Sequence, residues 1–482
     1  MFEPTIGLEV HAELRTKTKM FCNSKNDPNE KQPNVNICPV CMAHPGVLPT
    51  INKEAVKHVL RVGLSMDGRL ADYSEFDRKN YFYPDIPKAF QLSQYEFPLI
   101  SGGMLAGVAL TRIHLEEDTA RSSHTSNSES SLVDFNRAGV PLMELVTEPV
   151  IHSATDASKF ARELQLLLRT LGASDANMEK GEMRVEANIS VSKNKAELGV
   201  KVEVKNLNSF RSVERAIDFE IKRQIELLES GGTVVQETRG WDENKEVTFS
   251  QRLKEEAADY RYFPEPDLPK LKISEVPEFD TEVLRATLPE LPSVKRERLV
   301  DVYALSKDIA EVYVVDTKLC EFFEAIVRAL GEKSEEVNKK VKLASNYIVN
   351  NLMALRDAEE SSGHVTDHIT PEAFLEIVLL AYSGDISSNG AVELIGHVVA
   401  NTEPVEADAV RGLASELGLL QENDEGLLME TIETVLRDNQ EAVAEFKAGK
   451  EQALQYLVGQ GMKLSRGSAN PAKLKELIQT KL

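Results

Sequence analysis

Residues 182–210 read EMRVEANISVSKNKAELGVKVEVKNLNSF, and this stretch predicts a β-hairpin with one apolar and one ionic face. Apolar residues alternate with Arg184, Glu186 and Asn188 from Met183 to Val191, which is the two-residue period of a β-strand. Side chains two residues apart share one face of a strand. One face of this strand is therefore predicted to pack in a core, and the other carries arginine, glutamate and asparagine.

The second strand of the predicted hairpin repeats this pattern after a polar turn around residues 193–195. Its valines alternate with charged residues: Val200, Lys201, Val202, Glu203, Val204 and Lys205. Asn206 and Asn208 follow, and Ser209 is predicted to start a helix. The charged face has two interpretations. It is either a solvated surface with weak cross-strand ion pairs or one wall of a binding site.

Length and composition restrict the class of protein. A chain of 482 residues is too long for one compact core and predicts two or three domains. The formal net charge of −22 argues against nonspecific coating of nucleic acid, although a local basic patch is compatible with RNA binding. There is no apolar run of about 20 residues and no signal-peptide pattern at the start, so we expect a cytoplasmic protein without membrane association.

The first predicted strand has the same design as the hairpin. In GLEVHAEL, Glu9, His11 and Glu13 alternate with apolar residues and fall on one face. Such residues can serve solubility alone. Carboxylate oxygens and an imidazole nitrogen are also ligands for a divalent cation, which is the interpretation we favour.

Further acidic residues fall in two later segments. Glu116, Glu117 and Asp118 are consecutive in HLEED, which indicates a solvated loop unless a cation such as Mg²⁺ neutralises the charges. Glu144 lies inside the apolar PLMELV, where an ionised carboxylate is costly without a partner. Between residues 76 and 98, aromatic residues, prolines and charges are interleaved, including Lys79 and Tyr81. This mixture predicts a shaped functional loop.

The predicted fold class is α+β. Residues 1–292 are expected to form a domain of strands and helices, because a proline-rich stretch then gives way to helical spacing. Residues 293–402 are expected to be all-α, and residues 403–482 to form a small helical tail domain. Basic residues accumulate at the end of this tail, where they are either a soluble helix end or a contact to an RNA backbone: Lys463, Arg466, Lys473, Lys475 and Lys481.

The acidic residues predict a magnesium site rather than a hydrolytic site for a neutral substrate. Lys79, Arg184 and Lys205 are then available for phosphates, which suits phosphoryl transfer or activation of a carboxylate. No Walker loop is present, so ATP would be held through metals and cations. A two-metal phosphodiesterase or nuclease remains a rival enzyme, because it also needs carboxylates and a histidine.

Several long motifs resemble the GatB family, the B-subunit of the aspartyl/glutamyl-tRNA(Asn/Gln) amidotransferase: GLEVHAEL, FDRKNYFYPD, HLEED, PLMELV, RVEANISV, VEVKNLNSF, DYRYFPEPDLP, LVGQ and RGSANP. The resemblance spans the whole chain. It implies a glutamine-synthetase-like cradle domain, in which helices flank an antiparallel sheet, followed by a helical domain and a tail domain that touches tRNA.

The resemblance also implies a reaction. ATP phosphorylates the side-chain carboxylate of glutamate or aspartate on tRNA(Gln) or tRNA(Asn), and ammonia then displaces phosphate to leave the amide. Ammonia would come from a separate glutamine amidase, the A-subunit, in a heterotrimer that also contains a small C-subunit. This chain shows no glycine- and serine-rich amidase signature, so it is not expected to release ammonia alone. A noncatalytic tRNA-docking subunit is a third possibility.

The resemblance assigns roles to individual residues. Catalytic roles fall to Glu117, Lys79, Tyr81, Arg184 and Lys205, with Lys79 and Tyr81 near the entry of ammonia. ATP binding is assigned to Arg184, Glu186, Glu203, Lys205, Asn206 and Asn208. Metal ligation is assigned to Glu9, His11, Glu116, Glu117, Glu144, Glu186 and Glu203.

One departure from the family pattern concerns zinc. Many members have a Cys-x-Cys pair and a CxxC pair that bind zinc, whereas Ser24 here stands where the second cysteine would fall. Cys22, Cys38 and Cys41 remain. A structural zinc site needs a closed set of ligands, and there is no family precedent for His44 as the fourth.

Overall fold

The computed structural model describes residues 2–124, 130–194, 197–253, 260–332, 334–356, 364–401, 405–422, 425–465 and 469–482. The chain divides into two compact units, Met1–Pro292 and Ser293–Leu482. The further boundary expected at residues 402 and 403 stays a prediction, because residues 402–404 lie outside the described ranges. Arg466 of the basic tail and Lys195 of the hairpin turn also lie outside them.

The first unit is built from strands, with four helices between and after them. Its strands are β1 (Glu3–Glu13), β2 (Arg69–Leu70), β3 (Tyr73–Ser74), β4 (Asp77–Asn80), β5 (Phe90–Ser93), β6 (Ile100–Ser101), β7 (Met104–Leu105), β8 (Val108–Glu117), β9 (Arg121–His124), β10 (Ser131–Asp134), β11 (Pro141–Thr147), β12 (Met183–Ser192), β13 (Val202–Leu207), β14 (Glu237–Asp242), β15 (Val247–Leu253), β16 (Phe263–Pro264) and β17 (Leu271–Lys272). Its helices are α1 (Lys53–Ser65), α2 (Ala154–Thr170), α3 (Phe210–Glu229) and α4 (Thr281–Arg285).

Ten of these strands form one large mixed sheet. The order along it is β15-β14-β13-β12-β1-β11-β8-β6-β2, and β7 also pairs with β8. The neighbours are antiparallel except for β13 and β14, which are parallel. The first strand of the chain therefore lies in the middle of the sheet, between β11 and β12. Strands β16, β4 and β5 form a separate small sheet.

The predicted hairpin is present as β12 and β13. Met183, Val185, Ala187 and Ile189 are buried, while the residues between them are partly exposed. The second strand begins at Val202, so the expectation that Val200 belongs to it is wrong. Val200 is exposed, because the strand pairing starts only where Val202 meets Ile189.

Helices cover the apolar face of the sheet. Asn52 caps α1 by accepting hydrogen bonds from the amides of Glu54 and Ala55, as its side chain suits the N-terminus of a helix. Ser153 and Ser209 cap α2 and α3 in the same way. The apolar residues of these helices and of the strands form one buried cluster, which leaves the other face of the sheet for polar side chains.

The second unit is helical throughout its described residues. Its helices are α5 (Pro292–Tyr303), α6 (Lys307–Val315), α7 (Thr317–Leu330), α8 (Glu335–Tyr347), α9 (Met353–Arg356), α10 (Pro371–Ser383), α11 (Ser388–Val399), α12 (Ala407–Glu416), α13 (Glu425–Asp438), α14 (Gln440–Lys447), α15 (Glu451–Leu464) and α16 (Pro471–Lys481). Asn470 caps α16, as predicted. The α+β class is confirmed. Within the described ranges, no helix has both the length and the apolar character to cross a membrane.

Candidate active site

The polar face of the sheet carries a continuous cluster of carboxylates and imidazoles, which we call the carboxylate–histidine array. It consists of Glu9, His11, His114, Glu116, Glu144, Glu186 and Glu203. These residues form three overlapping groups: Glu9, His11 and Glu144; His114, Glu116 and Glu144; and Glu9, Glu186 and Glu203. Within each group the potential ligand atoms lie within 4.8 Å of one another. Glu9 and Glu144 each belong to two groups.

Strand register brings the array together. His11 of β1 lies opposite Glu144 of β11, which in turn lies opposite His114 of β8. On the other side of β1, Glu9 lies opposite Glu186 of β12. Directly opposed side chains on one face of an antiparallel sheet are close enough to interact. Residues up to about 190 positions apart thus share one surface.

His11 lies at the centre of three carboxylates. Its Nε2 atom is 3.5 Å from Glu144, 3.6 Å from Glu116 and 3.7 Å from Glu9. Burial alone would lower the pKa of His11, but the hydrogen bond to Glu144 and the nearby carboxylate charges raise it to about 9. Without a metal, His11 is therefore an imidazolium that neutralises part of the surrounding negative charge.

The carboxylates of the array differ in their proton affinity. Burial, followed by the charges of Glu144 and Glu186, raises the pKa of Glu9 to about 7. Burial likewise raises the pKa of Glu116, together with the charge of Glu144. Burial opposes ionisation of Glu144 as well, yet its contacts with His114 and His11 hold its pKa well below the usual range. Glu144 thus stays ionised to a lower pH than an ordinary carboxyl, whereas Glu9 can exchange a proton for a cation near neutral pH.

Two lysines face the array from different sides. The Nζ atom of Lys205 lies 2.6 Å from Glu186 and 3.8 Å from Glu203. Burial opposes the charge of Lys79, but Glu116 and Glu144 together with Tyr262 and Tyr81 raise its pKa. Both lysines are therefore charged. Six of the seven predicted metal ligands therefore lie together in the array, and two of the predicted catalytic cations, Lys79 and Lys205, lie next to them.

Arg184 is engaged differently from the expectation that it faces a phosphate. Its guanidinium donates hydrogen bonds to the buried carboxylate of Asp118 at 3.2 and 3.3 Å. Arg137 lies 3.7 Å from the same carboxylate. Although burial would raise the pKa of Asp118, these two arginines lower it. In this structure Arg184 thus pairs with Asp118 at the edge of the array.

Glu117 is placed apart from the array. Its carboxylate accepts hydrogen bonds from Lys88 Nζ at 2.5 Å and from the Leu92 amide at 3.0 Å. Glu116 and Glu117 are consecutive residues of β8, so they point to opposite faces. Glu117 instead lines a cavity of about 330 Å³ together with Cys41, Arg78 and other residues. It is the one predicted metal ligand that does not join the array.

The remaining predicted site residues lie at the margins. The Tyr81 hydroxyl donates to Gln91 Oε1 at 3.3 Å, and Gln91 in turn donates to the backbone carbonyl of Glu117 at 2.8 Å. Asn206 and Asn208 are exposed near the end of β13, and Asn206 has a positive φ of 64°. Neither asparagine belongs to the array.

Comparison with known proteins decides the family. A model of the GatB/GatE catalytic domain matches residues 4–277, and a model described as a GatB domain matches residues 321–482. The aspartyl/glutamyl-tRNA(Asn/Gln) amidotransferase B-subunit of Thermodesulfovibrio yellowstonii is 43% identical over 487 residues, covering 99% of this chain and 98% of the relative. The B-subunit of the same name from Carboxydothermus hydrogenoformans is 40% identical over 494 residues, covering 100% and 99%. This chain belongs to the GatB family of amidotransferase subunits.

The array lies entirely within the span matched by the catalytic-domain model of the family. The predicted site residues did not include three ionisable residues: His114, which belongs to the array, and Glu13 and Asp118 beside it, although Glu13 and Asp118 stood in the acidic patterns of the sequence. Glu13 lies two positions from His11, and His114 lies two positions from Glu116, so each falls on the same strand face as a predicted site residue. The alternation of the strands is therefore a sequence signal that identifies both. Burial and the charge of Asp118 raise the pKa of Glu13 to about 8, although Arg137 and Arg184 oppose this. The pairing of Asp118 with Arg184 has no local sequence signal.

The cysteines expected for a zinc site in this family also come together. The Sγ atoms of Cys22, Cys38 and Cys41 lie within 4.8 Å of one another. Near Cys41 Sγ lie Ser24 Oγ and Lys19 Nζ, both at 3.9 Å. The hydrogen bond from Cys22, and then the charge of Lys19, lower the pKa of Cys41 to about 5 although burial opposes this.

These residues do not fit a closed structural zinc site. Such a site uses four Cys or His ligands. Among the described residues, the group around these sulfurs contains three cysteines and no fourth Cys, His, Asp or Glu. A buried ammonium and a hydroxyl lie beside the sulfurs instead. We therefore assign no step to zinc.

Proposed function

We propose that this chain is the member of a tRNA-dependent amidotransferase complex that activates and amidates the aminoacyl group in the cytoplasm. The substrate would be glutamate on tRNA(Gln), aspartate on tRNA(Asn), or both. The observation that supports this proposal is the carboxylate–histidine array with Lys79 and Lys205 beside it. The names of the relatives designate a B-subunit, which agrees with a heterotrimer that also contains a glutamine amidase and a small third subunit.

The donor set fits divalent magnesium. Five carboxylates and two imidazoles converge on one surface, and the negative charge of the five ionised carboxylates exceeds what Lys79, Lys205 and a protonated His11 can neutralise. Carboxylate oxygens are the ligands that Mg²⁺ prefers. Glu9, His11, Glu116 and Glu144 would hold one ion, and Glu9, Glu186 and Glu203 a second. Bound Mg²⁺ would lower the negative charge that accumulates on phosphate oxygens during phosphoryl transfer.

The side chains of this chain then have distinct tasks. Lys205 would bind the phosphates of ATP by charge-assisted hydrogen bonds, beside Glu186 and Glu203, which would hold the metal. Lys79 is placed to attract the side-chain carboxylate of the substrate, which attacks the terminal phosphorus of ATP and releases ADP. The acyl phosphate formed has a good leaving group, so ammonia can attack its carbon and release phosphate with formation of the amide. Glu117 lines the cavity with Lys88, apart from the array, so we propose that it accepts a proton from nitrogen that enters through this cavity, before the nitrogen reaches the acyl phosphate.

Product analysis of the assembled complex tests this function. With ATP, Mg²⁺ and ammonium chloride, we expect ADP and the amide only when Glu-tRNA(Gln) or Asp-tRNA(Asn) is present. Absence of both products would overturn the proposal. Cleavage of the tRNA without ATP would identify the rival nuclease, and tRNA binding without any chemistry would identify a docking subunit.

A matched pair of variants links the activity to the array. Glu144→Gln removes the carboxylate shared by two ligand groups, and we expect at least a 100-fold loss of amidation. Glu148→Gln is the control, because Glu148 lies just beyond the same strand and accepts a hydrogen bond from Thr111 instead. Glutamine hydrolysis by the partner amidase should persist in both variants. Equal amidation by the two variants would remove Glu144 from the reaction centre.

A further inference from the structure

Five tyrosines form a connected series next to the array, which we call the tyrosine arc: Tyr83, Tyr81, Tyr260, Tyr262 and Tyr95. Ring centroids are 6.0 Å apart between Tyr83 and Tyr81, 6.0 Å between Tyr81 and Tyr260, and 6.1 Å between Tyr260 and Tyr262. Tyr262 and Tyr95 are stacked, with centroids 4.3 Å apart and an angle of 13° between the rings. Three separate chain segments thus contribute to one continuous aromatic surface.

The middle of the arc surrounds Lys79. The Nζ atom of Lys79 lies 5.1 Å from the ring centroid of Tyr260 and 5.9 Å from that of Tyr81, within the range of cation–π attraction. Burial raises the pKa of Tyr262 to about 12, with added effects of the carboxylates Glu116 and Glu144 opposed by Lys79. Tyr262, in the middle of the arc, therefore lies close enough to the carboxylate–histidine array to interact electrostatically with Glu116 and Glu144.

The two ends of the arc reach solvent. Tyr83 is 57% exposed and Tyr95 is 52% exposed, whereas Tyr81, Tyr260 and Tyr262 are partly buried. Phe82, beside Tyr83, is 84% exposed. Large exposed rings that are continuous with a buried reactive site are unusual on a surface without a binding role. The arc therefore forms a path of flat rings from solvent to Lys79.

Backbone strain within the tyrosine arc indicates that this surface has a function. Arg261, between two tyrosines of the arc, has a positive φ of 46°, which is uncommon for a residue other than glycine. Asn80 stabilises this conformation by donating hydrogen bonds to the carbonyls of Arg261 at 2.8 Å and Tyr260 at 3.2 Å. Arg261 itself is exposed, so its cation is accessible to a phosphate. Strained residues that are held in this way cluster at functional sites.

We propose that the tyrosine arc binds the unpaired 3′-terminal nucleotides of the aminoacyl-tRNA, with bases stacked on Tyr83 and Tyr95 and the aminoacyl group directed to Lys79. This inference rests on the proposed function, in which the reacting amino acid is attached to that 3′ end. Unpaired RNA bases bind proteins by stacking on aromatic rings, and flanking cations contact the phosphates. A chain with net charge −22 needs such uncharged contacts close to its acidic array.

Fluorescence of a modified tRNA tests the stacking separately from the chemistry. The terminal adenine is replaced by 2-aminopurine, whose emission is quenched when it stacks on another ring. We expect the wild-type complex to quench this emission. Tyr95→Ala and Tyr83→Ala should each reduce the quenching and raise KM for the charged tRNA about tenfold or more, while kcat at saturation changes little. Tyr95→Phe keeps the ring and should restore both readouts.

Phe249→Ala is the matched control, because Phe249 is an aromatic residue that is 45% exposed on β15 at the edge of the large sheet. It should leave quenching and KM unchanged. Absence of quenching by a wild-type complex that still forms ADP and amide would overturn the arc alone, whereas absence of ADP and amide would overturn the proposed function. Dissociation of the partner subunits from the Tyr83 and Tyr95 variants, with tRNA affinity unchanged, would instead make this surface a protein interface and also overturn the inference.

Discussion

Binding of a divalent cation to the array should release protons. The pKa of Glu9 is raised to about 7 and that of His11 to about 9 in the metal-free protein, so both hold protons near neutral pH. To bind a metal ion, a carboxyl group must be ionised and an imidazole must be neutral. Protons and metal therefore compete for the same atoms, and the affinity for metal must fall as the pH falls.

The size of this effect follows from the two pKa values. Between pH 8 and pH 6 the ionised fraction of Glu9 falls about 10-fold and the neutral fraction of His11 falls about 90-fold. A cation that uses both residues should bind about 900-fold more weakly at pH 6 than at pH 8. At pH 7 it should displace at least about 1.5 protons, one from His11 and half from Glu9, and the raised pKa of Glu116 adds to this number if Glu116 is also a ligand.

Isothermal titration with Mn²⁺, which shares the preference of Mg²⁺ for carboxylates, measures both quantities. The heat measured in two buffers with different ionisation enthalpies gives the number of protons released. Release of only about half a proton per bound cation, with a tenfold change in affinity between pH 8 and pH 6, would exclude His11 as a ligand. An affinity that is constant from pH 6 to pH 8 with no proton release would refute the metal site in the array. Glu148→Gln should behave as the wild type does.

Two further variants test the cations around the array. Arg184→Ala leaves the buried Asp118 with one arginine, so the free energy of unfolding measured with urea near pH 7 should fall by about 2–4 kcal/mol. This difference from the wild type should shrink as acid protonates Asp118, because a carboxyl with a lowered pKa stabilises the folded state only at a pH above its pKa in the unfolded state. Arg215→Ala breaks a more exposed ion pair and should lower the free energy of unfolding by less than about 1 kcal/mol. Equal losses in the Arg184 and Arg215 variants would contradict the importance of the buried pair. Lys205→Met should raise KM for ATP about 10-fold or more, because a charge-assisted hydrogen bond to phosphate is lost. The exposed Lys201→Met is its control, and an unchanged KM for ATP in Lys205→Met would remove Lys205 from the nucleotide site.

Strand alternation predicted most of the array from sequence. Glu9 and His11 fall on one face of β1, and Glu186 falls on the matching face of β12, because buried apolar residues separate them. The same rule also separates Glu116 from Glu117. The run of three acidic residues at positions 116–118 suggested one shared site, but β8 continues to Glu117, so the two glutamates point in opposite directions.

Contacts between distant residues could not be predicted in this way. The ion pair of Arg184 with Asp118 joins residues 66 positions apart and depends on the order β12-β1-β11-β8 across the sheet. Asn206 adopts a positive φ next to an irregularity in the pairing of β12 with β13, and a single sequence carries no reliable signal for such a break. The sequence specifies the face of each side chain, whereas the order of strands across the sheet decides which faces meet.

The central position of β1 has a consequence for how the protein is made. Glu9 and His11 belong to β1, which leaves the ribosome before both of its partner strands, and they pair with Glu144 and with residues 184 and 186. One edge of β1 stays open until β11 has been synthesised as far as Thr147, and the other edge stays open until β12 has been synthesised as far as Ser192. Pairings over such sequence distances form slowly. We therefore expect β1 to need a chaperone while it waits for its partner strands, and the carboxylate–histidine array to be complete only when β13, which carries Glu203, has been synthesised.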